Sequence, residues 1–172
     1  MISIAVCDDQ EAVMDNLVHK INDIFSKKEL DYVVKGFSSG KELLENLAQF
    51  HCVFLDIDMP GMSGYDVAEV IRRGNYNCQI IMATGRVDDY KAAFKYGVLR
   101  FITKPFSDEE ISEAIDAYLS TILFTKEIEV FHNRNRYYIP ISSIRYIRAI
   151  NSEVEIYADG QIFRKDISLS DL

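Results

Sequence analysis

Five short apolar segments, separated by helix-like segments, constrain the fold of this chain more than any other feature. They are rich in β-branched and aromatic residues and have the lengths of β-strands. They lie at 2–7, 31–37, 52–55, 79–83 and 98–102. Because most of them are apolar throughout rather than alternating, the strands should be covered on both faces. The pattern predicts an α/β fold with a five-stranded, doubly wound parallel sheet.

Apolar residues at helical spacing lie between these segments. In the first helix, for example, Val13, Leu17 and Ile21 fall on one face. Ser107 precedes the last helix, and Glu110 follows three residues later, which is an N-terminal capping pattern. Strand and helix are therefore predicted to alternate five times.

Polar residues end four of the five predicted strands. Asp8 and Asp9 follow the first strand and Asp56 follows the third. Thr84 ends the fourth, and Lys104 follows the fifth. Because ligands of open parallel sheets bind beyond the carboxyl ends of the strands, these residues predict a functional site at one edge of the sheet.

The residue types at this edge indicate phosphoryl chemistry. Three carboxylates that meet at one place repel each other unless a cation lies among them, and an all-carboxylate set favours Mg²⁺ over Zn²⁺. With Mg²⁺ and Lys104 the formal charge of the site is zero. Asp56 is then a candidate nucleophile toward phosphorus, and Lys104 would hold a phosphoryl oxygen. The hydroxyl of Thr84 would bind the new phosphoryl group and Phe101 would fill the space behind it, which predicts a two-state switch.

Residues 1–122 resemble the receiver domain of bacterial response regulators. The resemblance rests on VCDD (6–9), DIDMPGMSG (56–64), ATG (83–85) and FITKP (101–105). It implies that Asp56 accepts a phosphoryl group from a sensor histidine kinase. It also implies a switch rather than an enzyme, with slow self-dephosphorylation as its only turnover.

The same resemblance implies the ligands of the metal ion. Asp9 and Asp56 would bind Mg²⁺ directly, together with the backbone carbonyl of Asp58, and Asp8 would bind it through water. A cis peptide bond at Lys104–Pro105 is also implied, and it would aim the lysine into the site.

Haloacid-dehalogenase-type phosphatases provide an enzymatic alternative, because they also place Asp-x-Asp at a strand end, as Asp56 and Asp58 are placed here. In those enzymes the second aspartate is a general acid for turnover. Pro60, however, stands where that pattern usually has Thr or Val, and a strand–helix–strand unit precedes the motif. The receiver interpretation is therefore preferred.

The remaining segment, 123–172, has a different pattern. Five short strand-like segments with partial alternation follow one another, and Asp159-Gly160 predicts a hairpin turn. Residues 138–172 resemble the first half of a LytTR-type DNA-binding domain. Since a complete domain of that type is longer, we expect an incomplete, all-β part of one, which would serve as a transcriptional output.

The candidate DNA contacts are the predicted loop of Asn151, Ser152 and Glu153 and four basic residues, Arg134, Arg136, Arg145 and Arg148. Residues 125–172 contain seven Lys and Arg and seven Asp and Glu, so their balanced charge provides little attraction for phosphates. A receiver that acts only through protein contacts, with a tail that does not bind DNA, is the alternative. The predicted helices at 87–96 and 107–120 are the expected contact surface for a homodimer formed on phosphorylation, or for the output domain.

Composition sets outer limits on these interpretations. The net charge of −8 argues against nucleic-acid binding by the chain as a whole, and 20 of the 27 acidic residues lie before residue 125. The three cysteines lack CxxC spacing and lie in or beside apolar runs, which predicts buried thiols in a reducing compartment. The sequence shows neither a signal peptide nor an apolar window of membrane length, so we expect a cytoplasmic protein without membrane contact.

Overall fold

The structure, a computed structural model, describes residues 1–28, 30–85, 94–150 and 153–165. The chain divides into two compact units, Met1–Tyr118 and Leu119–Leu172. The functional boundary predicted after residue 122 stays a prediction.

A five-stranded parallel sheet forms the centre of the first unit, as predicted. Its strands are β1 Ile2–Cys7, β2 Tyr32–Phe37, β3 Cys52–Leu55, β4 Gln79–Thr84 and β5 Arg100–Thr103. They lie in the order β2-β1-β3-β4-β5, which is the flavodoxin-like order. The direction of winding reverses between β1 and β3, and at such a point the strand ends open into a crevice where ligands bind.

Four helices flank this sheet in the part of the chain that the structure describes. They are α1 Glu11–Ser26, α2 Gly40–Asn46, α3 Gly64–Arg73 and α4 Asp108–Thr125, the last being the fifth helix that the sequence predicts. Ser39, Ser63 and Ser107 each accept a hydrogen bond from the backbone N–H three residues later. These serine caps explain where α2, α3 and α4 begin, and the cap predicted at Ser107 is confirmed.

The predicted helix at 87–96 lies mostly outside the described residues, which resume with a 3₁₀ turn at Phe94–Tyr96. That half of the expected contact surface is therefore untested. The other half, 107–120, belongs to α4 and its capping serine. Among the described helices, none combines the length and apolar character needed to cross a membrane.

The core of the first unit combines whole strands with one stripe from each helix. From α1 it receives Leu17, Ile21 and Phe25, as the helical spacing predicts. Strand β3 is buried along its full length and β1 nearly so, which is why these strands show no alternation in the sequence. All three cysteines are buried and free, as predicted.

The second unit is an antiparallel sheet, so the predicted all-β segment is confirmed. Its strands are β6 Glu127–His132, β7 Asn135–Pro140, β8 Ile144–Ile150, β9 Glu153–Ala158 and β10 Gln161–Lys165. They lie in the order β7-β6-β10-β9-β8. Val130, Ile156 and Phe163 are buried on one face. The predicted turn at Asp159-Gly160 joins β9 to β10, with both residues at positive φ.

Candidate functional site

Strand register brings the predicted site residues together. In the pairing of β1 with β3, Cys7 lies opposite Leu55, so the next residues, Asp8 and Asp56, emerge side by side. In the pairing of β4 with β5, Thr84 lies opposite Thr103, and Lys104 follows directly. The expectation that polar strand ends converge on one edge is therefore confirmed for these residues.

The backbone holds the strand tips in place beyond the last ladder residues. The backbone N–H of Asp56 donates to the carbonyl of Cys7 at 2.9 Å, and that of Asp8 donates to Phe37 at 3.1 Å. The N–H of Lys104 donates to the carbonyl of Thr84, also at 3.1 Å. Because the sheet continues through these residues, their side chains start from well-defined positions.

Lys104 contacts two buried carboxylates at once. Its Nζ lies 2.6 Å from Oδ2 of Asp8 and 3.0 Å from Oδ1 of Asp56. Both aspartates are only 2% exposed, whereas Asp9 is exposed at the rim. The strand ends thus form an acidic site in which one lysine cation contacts both buried carboxylates.

Burial and neighbouring charges shift the pKa values of Asp56 and Lys104. Burial raises the pKa of Asp56 above its usual value, and the repulsion from Asp8 adds to that effect, while the hydrogen bond from Lys104 opposes it. Burial also opposes the charged form of Lys104, but its hydrogen bonds to Asp8 and Asp56 outweigh burial and raise the lysine pKa. Lys104 therefore stays charged at neutral pH, and a further cation would favour the ionised form of Asp56.

The acidic residues fit a divalent cation. One carboxylate oxygen from each of Asp8, Asp9 and Asp56 lies within 4.8 Å of the others. Three carboxylates against one lysine leave two formal negative charges, which one divalent ion would neutralise. Oxygen donors of this kind suit Mg²⁺, and the exposed Asp9 leaves the site open to solvent. The residues present therefore fit the predicted magnesium ion, and Asp58, whose side chain is exposed, has its carbonyl in the same loop.

The turn after Asp56 explains the glycines of this segment. A Cβ atom on Gly64 would lie 2.1 Å from the carbonyl oxygen of Asp56, so only glycine lets α3 begin against this residue. Gly61 has a φ of +79°, which the turn requires. Ser63 and Asp66 then form a capping box that begins α3. The chain thus turns directly after Asp56 and continues into α3.

The two predicted switch residues lie on neighbouring strands. Thr84 is 2% exposed at the end of β4, and Phe101 on β5 is partly buried and packs against the hydrophobic core. Their roles in a switch stay predictions. At Gly85, which precedes the segment 86–93 outside the described residues, an added Cβ would meet no atom of the described residues within 4 Å.

The loop that carries Lys104 has two supports. The peptide bond between Lys104 and Pro105 is cis, as the family resemblance implies. Glu110 on α4 accepts hydrogen bonds from the backbone N–H of Thr103 at 3.2 Å and from its hydroxyl at 2.7 Å. The sequence shows Glu110 only as a capping residue, because its partner on β5 is revealed by tertiary structure alone.

The candidate DNA contacts lie in the second unit. Arg134 occupies the turn between β6 and β7, and Arg136 on β7 pairs with Glu129 at 3.0 Å. Asn151 and Ser152 lie outside the described residues. Arg145 and Arg148 lie on β8. The structure therefore locates the four candidate arginines but not Asn151 and Ser152, and the role of all these residues stays a prediction.

Comparisons with known proteins identify the family of the first unit. The sequence model of the response regulator receiver domain matches residues 4–116. The match spans both aspartate motifs and the lysine motif. It therefore favours the receiver family over the haloacid-dehalogenase-type phosphatases. The solved structure of the BeF3-activated DrrB receiver domain is similar, with 29% identity and a TM-score of 0.58, over 70% of this chain and 98% of that one.

Two curated relatives show how far the similarity extends. The sensory transduction protein LytT of Bacillus subtilis (strain 168) is 24% identical over 168 residues, covering 94% of this chain and 68% of LytT. The response regulator protein TmoT of Ectopseudomonas mendocina is 34% identical over 128 residues, covering 72% of this chain and 56% of TmoT. The family match, the parallel sheet and the acidic strand-end site agree: this chain belongs to the response regulator receiver family.

Proposed function

We propose that this protein is a two-component response regulator whose Asp56 accepts a phosphoryl group from a sensor histidine kinase. The observation that carries the proposal is the contact of one lysine, Lys104, with the two buried carboxylates of Asp8 and Asp56. In the transfer, phosphorus forms a bond to an oxygen of Asp56 while its bond to the histidine nitrogen of the kinase breaks. The imidazole leaves with the electron pair of that bond and takes up a proton.

The residues around Asp56 have distinct roles in this proposal. Lys104 holds an oxygen of the incoming phosphoryl group and offsets part of its negative charge. Asp8, Asp9 and the backbone carbonyl of Asp58 would hold Mg²⁺, which shields the charge between carboxylate and phosphoryl oxygens. The aspartyl phosphate breaks down only by slow hydrolysis, so the protein acts as a switch.

Phosphorylation then changes the neighbouring strands. An aspartyl phosphate carries about one more negative charge than the free carboxylate, and this charge needs a new donor. The hydroxyl of Thr84 is the donor we propose, since Thr84 is buried next to the site. Its movement leaves a space that Phe101 enters, and this changes the surface formed by β4 and β5.

The output of the switch is DNA binding through the LytTR-like second unit. The similarity to LytT supports this proposal, because it covers 94% of the chain and so extends beyond the receiver. The balanced charge of residues 125–172 favours the second candidate, in which the output is a protein contact only.

The phosphoacceptor assignment is tested with a matched pair of aspartates. We expect Asp56→Asn to abolish phosphorylation by a small phosphodonor such as acetyl phosphate, measured as an acid-stable, hydroxylamine-sensitive mass increase. Asp58→Asn, two residues away with an exposed side chain, should keep the modification. Phosphorylation of Asp56→Asn at the wild-type level would refute the site.

The output is tested separately with beryllium fluoride, which mimics an acyl phosphate. A mobility-shift experiment with promoter DNA from the protein's own gene neighbourhood compares the protein with and without this reagent. Retardation that increases with beryllium fluoride supports DNA binding. Equal lack of retardation in both states, with the receiver shown to bind the reagent, favours an output through protein contacts.

A further inference from the structure

A cleft lies on the second unit, away from the phosphoacceptor site. Its volume is about 630 Å³, and it is formed by the β6–β7 hairpin and the adjoining strand β10. Arg134 from the hairpin tip and Arg164 from β10 line it, together with the apolar side chains of Phe131 and Ile162 and with one acidic residue, Glu155 of β9. Phe131 and Arg164 are direct partners in the pairing of β6 with β10, so apolar surface and positive charge lie side by side.

The turn between β6 and β7 has an arginine, Arg134, at a position with positive φ that usually holds glycine. Asn133 and Arg134 have φ values of 51° and 66°, so both are in the left-handed region, as a two-residue type I′ turn requires. The hairpin between β9 and β10 has the same signs of φ, with Asp159 at 47° and Gly160 at 76°. Its second position is glycine, the residue that this conformation favours, whereas the β6–β7 hairpin holds an arginine there. Strain of this kind is often retained where a side chain has a function.

The charge of Arg134 is available to a ligand. Among the residues that the structure describes, no carboxylate lies within ion-pair distance of Arg134, whose side chain is exposed at the tip. Arg164 has a distant partner, Glu155, at 4.0 Å, and its side chain is 62% exposed. The cleft therefore contains two guanidinium groups and one carboxylate, Glu155, which lies near Arg164, so these groups leave a formal charge of +1.

We propose that this cleft binds a phosphate group, held by Arg134 and Arg164. Guanidinium groups match the geometry of phosphate oxygens. The apolar floor of Phe131 and Ile162 suits a sugar attached to that phosphate better than it suits inorganic phosphate. The phosphate is therefore assigned to the sugar–phosphate backbone of DNA, an assignment that rests on the DNA-binding output proposed above.

The first test uses an arginine variant that the turn should accept. In Arg134→Gly the guanidinium is lost, but the left-handed backbone conformation is favoured, so the hairpin should remain folded. Fluorescence anisotropy with labelled duplex DNA compares the full chain and this variant across a salt series. Losing one phosphate contact should weaken binding about eightfold at about 0.1 M salt and reduce the slope of log K against log salt by about 0.9. Lys126→Gln, which removes an exposed lysine outside the cleft, is the matched control and should change affinity less than about twofold.

The outcomes separate the cleft from the DNA-binding output. If duplex DNA binds and Arg134→Gly matches the wild type, the cleft proposal is overturned and the output proposal stands. If the wild type binds no duplex, the output proposal fails, and pyrophosphate is titrated while the arginine Nε–H resonances are followed by NMR. Saturable shifts of Arg134 and Arg164 would then keep a phosphate site and assign it to a free phosphate compound. Absence of such shifts would overturn the cleft as well.

Discussion

Charge at single residues governs the receiver site. Asp8 and Asp56 are buried side by side with one lysine between them, so each additional proton or cation changes the stability of the pocket. For Asp56 the effect of burial exceeds that of Lys104, so the pKa of its carboxyl is raised. A carboxyl with a raised pKa binds its proton more tightly in the folded protein than in the unfolded chain, so folding loses stability as the pH rises through this range.

This linkage predicts the effect of Asp56→Asn. In metal-free buffer near neutral pH the variant should be more stable than the wild type, because it lacks the cost of burying that charge. The difference should shrink as the pH falls below the folded pKa of Asp56 toward the ordinary range of a carboxyl. Urea unfolding at several pH values measures it, with Asp58→Asn as the exposed control. A variant that is less stable than the wild type at every pH would contradict the prediction.

Two glycines beside the site should differ sharply in their tolerance of a methyl group. Gly64→Ala would place Cβ against the carbonyl oxygen of Asp56, so α3 or the phosphoacceptor loop must shift. We expect a loss of about 1–3 kcal/mol in unfolding free energy, as for other overpacked positions. Gly85→Ala, where the added atom would meet no atom of the described residues within 4 Å, should stay within about 0.5 kcal/mol of the wild type. Equal effects of the two changes in denaturant titrations would show that the predicted clash is relieved at little cost.

At the scale of elements, Arg72 at the end of α3 joins segments that are distant in sequence. Its guanidinium donates to the carbonyls of Tyr96 at 2.5 Å, Gly97 at 2.8 Å and Cys78 at 3.0 Å. These contacts fasten the segments before β4 and β5 to the helix. The end of α3 therefore sets the position of the strand that leads to Lys104.

Arg72→Lys tests this fastening while keeping the charge. A lysine cannot reach three carbonyls with a planar fork, so we expect a loss of about 2 kcal/mol in stability. The amide of Leu99, which donates to Ile80 at 2.7 Å, should exchange its hydrogen faster in the variant. Arg73→Lys, whose side chain is 80% exposed and pairs with Glu69 on the surface, should have little effect on either measurement. Unchanged exchange at Leu99 in Arg72→Lys would show that the strand is held by other contacts.

At the scale of the whole molecule, the two compact units should respond differently to magnesium. Only the first contains the acidic cluster, within the part of the chain that the structure describes. Because a ligand that binds the folded state stabilises it by mass action, Mg²⁺ at a hundred times its dissociation constant should add about 2.7 kcal/mol to the receiver. Calorimetry with MgCl₂ or with EDTA measures the shift.

The variant that tests the location of the ion is Asp9→Asn. Asp9 is the exposed member of the cluster, so its replacement should not disturb the core. The variant should fold normally and lose most of the magnesium-dependent shift. A shift that persists undiminished in Asp9→Asn would place the ion elsewhere. A shift of equal size in the unfolding of both units would show that the ion acts on the whole chain rather than at the cluster.

Local pattern was enough to predict the described strands of this protein and the residue types at their ends. Five apolar strands, their parallel arrangement and the cap at Ser107 depend on short-range preferences and on burial, both of which are visible in neighbouring residues. The carboxylates of Asp8 and Asp56 at the strand ends follow from the same pattern. The β character of the second unit followed in the same way, from alternation and from the Asp159-Gly160 turn.

Tertiary structure alone decided how these groups meet. Register between β1 and β3 sets Asp8 beside Asp56, and Lys104 reaches both across a gap of 48 residues or more in sequence. The part played by Arg72 could not be predicted, because its partners lie on segments whose positions depend on long-range packing. The reason is physical: preferences for strand, helix and turn act over a few residues, whereas distances between charges are set by the packing of the whole sheet and its helices.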